Sequence, residues 1–177
     1  MERNSHRQLA NMKKSLFDQG YLDQEQFTQL EELQDDANPN FVEEVVTLYY
    51  RDSARLIQNI EQAFPHWRCN SVLIRAEKNP LDFTKLDNYM HQFKGSSCSI
   101  GAKKLKNEST QFREYCRTGN GEGCKRTFRQ VKKEYSALKK KLEQYFQVPF
   151  PYFKLICATH LEQAHTHMHS SKKNCFI

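Results

Sequence analysis

Residues 89–102 read YMHQFKGSSCSIGA, and their spacing predicts an amphipathic helix with two unlike faces. At about 100° per residue, Leu86, Tyr89, Met90, Phe93, Ser97 and Ile100 share one side, while His91 points the opposite way. Lys94 at i+3, Gly95 at i+4, Cys98 at i+7 and Ala102 at i+11 lie on the histidine's side. One cation and a ring of small side chains therefore surround an imidazole that faces water.

Each residue type has a chemical reason to be there. Imidazole is substantially neutral near pH 7, nucleophilic through a ring nitrogen, and able to accept a group and return it. A phosphoryl group on His91 would bring negative charge, which Lys94 one turn along can offset. Glycine in a helix interior costs roughly 0.5–1 kcal/mol relative to alanine. Gly95 therefore calls for an explanation, and an unobstructed path to His91 supplies one. A single exposed histidine is commonly just a solvated side chain; the combination HxxKG on a polar face singles this one out.

The run His91-Gln92-Phe93-Lys94-Gly95-Ser96-Ser97, continued by Ser99-Ile100-Gly101-Ala102, resembles the signature of the plant histidine-containing phosphotransfer proteins of two-component phosphorelays. SLFDQGYLD (15–23), LEELQDDANPNFVEEV (30–45), LYYRDSARLI (48–57) and most of 112–146 share the likeness. It covers most of the chain up to about Gln147. The resemblance implies a carrier that takes a phosphoryl group on His91 from the receiver domain of a hybrid histidine kinase and gives it to an aspartate of a response regulator. It further implies cytokinin signalling and a cytoplasmic and nuclear location.

The chain has 177 residues, a size that suits one domain with its own core. Mean hydropathy is −0.84, and no run approaches the roughly 18 apolar residues of a membrane span. The stretch MERNSHRQL has no apolar segment of the kind a secretory signal needs. Six cysteines without CxxC pairing read as reduced thiols. Lys and Arg outnumber Asp and Glu 27 to 21, but no groove-reading motif or aromatic platform accompanies the excess. Lys132, Lys133, Lys139, Lys140 and Lys141 read as a solvated helix face rather than a nucleic-acid site, with electrostatic steering toward an acidic partner as a secondary use.

Glycine and proline punctuate an all-helical pattern. Helices are expected over about 5–19 (Leu9, Met12, Leu16, Phe17 inward), 24–34 after an Asp23 cap (Phe27, Leu30, Leu33), and from Asn38-Pro39 onward (Phe41, Val45, Leu48, Tyr49, Leu56, Ile60). Further helices are expected over about 81–101, 103–117 and 122–146, the last packing through Phe128, Val131, Tyr135, Leu138, Leu142 and Tyr145. The architecture this implies is an up-down four-helix bundle with two short N-terminal helices against one end. Residues 1–147 form the phosphotransfer domain in this reading, and 148–177 a divergent tail expected to lack a fixed fold.

No ATP-binding glycine loop and no receiver-type Asp pair is present, so the chain is expected to be a phosphohistidine carrier rather than a kinase, with no cofactor of its own. The partner receiver domain would supply Mg²⁺. Gln92, Ser96, Cys98 and Ala102 are the expected docking rim, and Arg113 a second cation able to contact phosphoryl oxygens. A monomer is expected. The competing reading is a module that occupies receiver domains without transfer. Two stretches depart from the family pattern: FPHWRCNSVLIRA (64–76), which reads as an insertion, and the tail. Both read as products of altered splicing or gene prediction. His160, His165, His167 and His169 in the tail could ligate zinc, copper or nickel, but nothing in the sequence would hold their geometry.

Overall fold

Asp82 starts the helix that carries the organising stretch: its carboxylate accepts from the Lys85 amide at 2.9 Å, satisfying one of the amides a helix start leaves open. The structure, a computed structural model, describes residues 2–64 and 81–147, with side chains from residue 7 onward. Those residues form α1 Glu2–Asp18, α2 Gln24–Glu32, α3 Phe41–Ala63, α4 Phe83–Ser99, α5 Lys103–Arg117 and α6 Gly121–Phe146, with no strand among them. α4 packs between α3 and α5, α5 packs on α6, and α6 closes back on α3. The connections at 100–102 and 118–120 are too short for anything but antiparallel neighbours, so the expected four-helix bundle is the one observed.

The N-terminal helices deviate in size. α1 runs for 17 residues, as long as α4, and rests against α6. Its stripe explains this: Leu9 and Leu16 are buried, Met12 and Phe17 pack on the core, and Lys13 in the same stripe is only 6% exposed. The Lys13 ammonium is paired with Glu31 of α2. The α1–α2 corner is tied to the end of α4, since the Asp23 amide donates to the Gly101 carbonyl at 2.7 Å and the Lys103 amide to that of Tyr21 at 3.1 Å. Gly101 permits the junction. Its φ is +70°, and a Cβ there would stand 3.2 Å from Cβ of Gln26, so both conformation and space call for glycine.

In α3 the buried stripe is Val42, Val46, Tyr49, Ser53, Leu56 and Ile60. The expected Phe41, Val45 and Leu48 are displaced from its centre, and Leu48 is 47% exposed. Apolar residues come in adjacent pairs at 41–42, 45–46 and 48–49, so periodicity alone leaves the register open by one position. Pro39 precedes the helix rather than starting it: Asn40 is the cap residue, and the Gln34 side chain accepts from the Val42 amide at 3.3 Å. Leu33, expected inside, is 65% exposed because α2 ends at Glu32.

Phe64, the first residue of the expected insertion, closes a helix and is buried. It is the C-cap of α3, is 3% exposed, and stacks on Phe128 at 5.9 Å between ring centres. Residues 65–76 and 148–177, including the tail histidines, lie outside the described residues. The basic face of α6 is only partly free: Lys132 pairs with Glu61 at 2.6 Å, Lys139 lies 5.6 Å from the Tyr50 ring, and Lys141 lies 5.0 Å from that of Tyr21. Lys133 and Lys140 are exposed.

Candidate functional site

α4 divides as its spacing predicts. Leu86, Met90, Phe93 and Ser97 are buried against the neighbouring helices, Tyr89 is half-buried, and His91, Gln92 and Gly95 are exposed. Ser97 enters the core because its hydroxyl is satisfied there, donating to the Phe93 carbonyl at 2.7 Å with the Tyr49 hydroxyl at 3.4 Å. Burial pushes that Tyr49 phenol up to about 12, so it stays a neutral part of the α3–α4 seam. The helix face opposite this packing is the one that carries the imidazole.

His91 makes no hydrogen bond or ion pair among the described residues. A Cβ built on Gly95, one turn along, would meet nothing within 4 Å, so glycine here leaves open space rather than accommodating a neighbour. Lys94 is half-buried and has no carboxylate partner among the described residues. Its charge is therefore available to an anion at the imidazole. Ser96 is half-buried, its hydroxyl turned back to the Phe93 carbonyl at 3.1 Å, and Cys98 is a half-buried free thiol.

Ala102 does not belong to this face. It is 1% exposed, because α4 ends at Ser99 and the chain turns at Gly101 before Ala102 caps α5. The i+11 extrapolation assumed a helix one turn longer than the chain makes. Arg113 is likewise engaged elsewhere: its Nε donates to Asp87 Oδ1 at 2.8 Å and its Nη2 to Oδ2 at 3.1 Å. This two-pronged pair spans α5 and α4, with the two side chains 18% and 25% exposed. Sequence reasoning missed Asp87, although it stands four residues before His91 and so lies on the same side of α4. The hydrogen bonds from Arg113 hold the Asp87 carboxyl below the usual carboxylate range, with a smaller contribution from His91.

Such an arrangement suits transfer of an anionic group to and from a solvent-facing nitrogen. The nucleophile is exposed, the ground beside it is bare, one cation is at hand, and the nearby carboxylate is neutralised by a guanidinium. Among the described residues no cluster of three metal-ligating side chains occurs, and no helix is long and apolar enough to cross a membrane.

Comparison with known proteins agrees with this geometry. Residues 44–141 match the family model described as the Hpt domain. Histidine-containing phosphotransfer protein 4 of Arabidopsis thaliana is 66% identical over 129 residues, which cover 73% of this chain and 91% of the relative. Pseudo histidine-containing phosphotransfer protein 5 of Oryza sativa subsp. japonica is 53% identical over 145 residues, 82% of this chain and 87% of the relative. Among solved structures, a histidine-containing phosphotransfer protein from Medicago truncatula superposes with a TM-score of 0.69 at 38% identity, covering 90% of this chain and 94% of that one. One from maize gives 0.70 at 36% identity, over 81% and 96%. With the exposed imidazole on its bundle and these relatives beside it, the chain belongs to the Hpt-domain family of plant histidine-containing phosphotransfer proteins.

Proposed function

We propose that this protein relays phosphoryl groups in two-component signalling, with His91 as the phosphoacceptor. The receiver domain of a hybrid histidine kinase is the donor and an aspartate of a response regulator the recipient. The observation that carries the reading is the open ground around His91: exposed imidazole, no side chain at Gly95, and an uncommitted Lys94 ammonium. A ring nitrogen attacks phosphorus in line while the donor's aspartate leaves. Lys94 offsets the charge of the transferred group, Gly95 admits the partner, and Gln92, Ser96 and Cys98 form the rim it meets. In this scheme the chain needs neither ATP nor a metal of its own; the receiver brings Mg²⁺ and binds a monomeric carrier. Kinship to plant phosphotransfer proteins supports a place in cytokinin signalling, and a cytoplasmic and nuclear location is part of the same proposal. Residues 1–147 are the phosphotransfer unit.

A second reading, occupation of receivers without transfer, draws on the likeness to relatives named pseudo histidine-containing phosphotransfer proteins. One experiment separates the two. The protein is incubated with a phosphorylated receiver and Mg²⁺, and acid-labile, base-stable label is sought. Label that disappears in His91→Gln is the expected result; a wild type that binds the receiver but takes no label would establish the non-transferring role instead.

A further inference from the structure

Two thiols meet where α5 turns into α6. Cys116 is the penultimate residue of α5 and Cys124 lies in the first turn of α6. Their sulfurs are 3.6 Å apart, and the residues are 5% and 0% exposed. Gly123 makes the approach possible. A Cβ there would stand 2.5 Å from the Tyr115 ring, so the ring fills the place of a side chain and the end of α5 closes on the start of α6. Asn120 fixes the same corner, its Oδ1 accepting from the Gly123 amide at 2.8 Å.

The sulfurs stand at helix ends of opposite sign. The positive end of α6 favours a thiolate at Cys124, and the negative end of α5 disfavours one at Cys116. The hydrogen bond between them works in the same sense, lowering the Cys124 thiol below its usual range and raising that of Cys116. A nucleophilic sulfur and a resolving sulfur are thereby distinguished before any oxidant arrives.

We propose that Cys116 and Cys124 form a redox-modification site, closing to a reversible disulfide under hydrogen peroxide and slowing phosphoryl acceptance at His91. The Cys124 thiolate attacks one peroxide oxygen and the O–O bond breaks. The sulfur becomes a sulfenic acid, and the departing hydroxide takes the proton the thiol shed, leaving as water. The Cys116 sulfur then displaces the hydroxyl from the sulfenic acid, and its own proton completes a second water. Each sulfur gives up one electron in sum, and the two peroxide oxygens are reduced.

The route to the phosphoacceptor is short. Closing the bond draws the sulfurs to about 2.05 Å and shifts the last turn of α5. Arg113 stands one turn earlier on that helix and holds Asp87, itself one turn before His91 on α4. The effect on transfer rests on the relay function proposed above; the disulfide does not.

The test treats the full chain with hydrogen peroxide, blocks remaining thiols with N-ethylmaleimide, and digests it unreduced with trypsin. Cleavage after Arg113, Arg117 and Lys125 releases EYCR and TGNGEGCK. The expected product is these two joined, lighter by two hydrogens than the free pair and absent from Cys116→Ser and Cys124→Ser. Alanine at each position serves as a second variant should a buried serine impair folding. Label transfer to His91 from a phosphorylated receiver is expected to fall several-fold on oxidation and to recover in dithiothreitol. Alkylation of both thiols in peroxide-treated, still helical protein overturns the proposal. So does a linkage to a different cysteine, or a joined species that accepts label at the reduced rate. If the reduced chain takes no label at all, the relay reading fails, and the joined peptides alone decide the redox site.

Discussion

Gly95 shows how a single residue can set stability against function. The space beside it is empty in the free protein, so Gly95→Ala should raise unfolding free energy in urea by about 0.5–1 kcal/mol, the usual helix-interior gain. Gly95→Leu should also fold, yet reduce label transfer to His91 about tenfold or more, since the loss of 1.4 kcal/mol of docking energy suffices. A Leu variant with full transfer would remove the steric role of this position. Asp87 carries a different signature. Arg113 depresses its folded pKa, so the pair stabilises the fold above the unfolded value near 3.9 and the contribution is lost as pH falls through the folded value. Partial solvent exposure limits it to about 1 kcal/mol. The difference in unfolding free energy between wild type and Asp87→Asn should therefore be largest at neutral pH and shrink steadily as pH falls below the unfolded value and through the depressed folded one. A difference that does not change over that range would mean the carboxylate charge is irrelevant to stability.

Between elements, the pairing of Lys13 on α1 with Glu31 on α2 does what neither helix could do alone, placing charge in an apolar seam with 6% and 5% of each residue exposed. Removing the Glu31 carboxylate leaves the buried Lys13 ammonium without its counter-charge, so Glu31→Ala should cost about 3–5 kcal/mol in urea unfolding. The double change Lys13→Met with Glu31→Leu should be close to neutral or stabilising, because two desolvated charges give way to packing. A double variant as weak as the single one would show that the seam depends on the ion pair itself. The same elements mark how far the sequence could be read. The division of α4 into core and exposed faces was legible because one strong period of 3.6 governs it, and the Asp23 cap and the 118–120 turn because their residue types have few other uses. The register of α3 was not, since its apolar residues come in doublets. Nor was the burial of Lys13 and Glu31, which depends on two helices meeting, or the Arg113–Asp87 fork, which joins residues far apart in sequence. Ala102 was misplaced for a local reason, a helix end set by Gly101 rather than by the period.

At the scale of the whole molecule, carrier chemistry and fold stability occupy different parts of one bundle. Buried side chains from Leu9 to Tyr145 form the core cluster, while His91 is exposed. α4 joins the two, its inward side anchoring the outward one, and Arg113 of α5 holds Asp87 on the same side as His91. The family match ends at residue 141, inside α6, and α6 itself ends at Phe146. The last turn of that helix still matters, because Leu142 and Tyr145 are buried. A chain ending at Gln147 should accordingly keep the α-helical circular dichroism of the bundle, melt within a few degrees of the full chain, where 1 kcal/mol corresponds to about 2–8 °C, and accept label on His91 at a similar rate. Cutting instead after Lys139 removes both buried side chains and should lower the melting temperature by 10 °C or more, as loss of two core residues at about 2–5 kcal/mol each requires. If the chain ending at Gln147 failed to fold while the full chain folded, the domain would have to extend past α6, and the separation of carrier from tail would be lost.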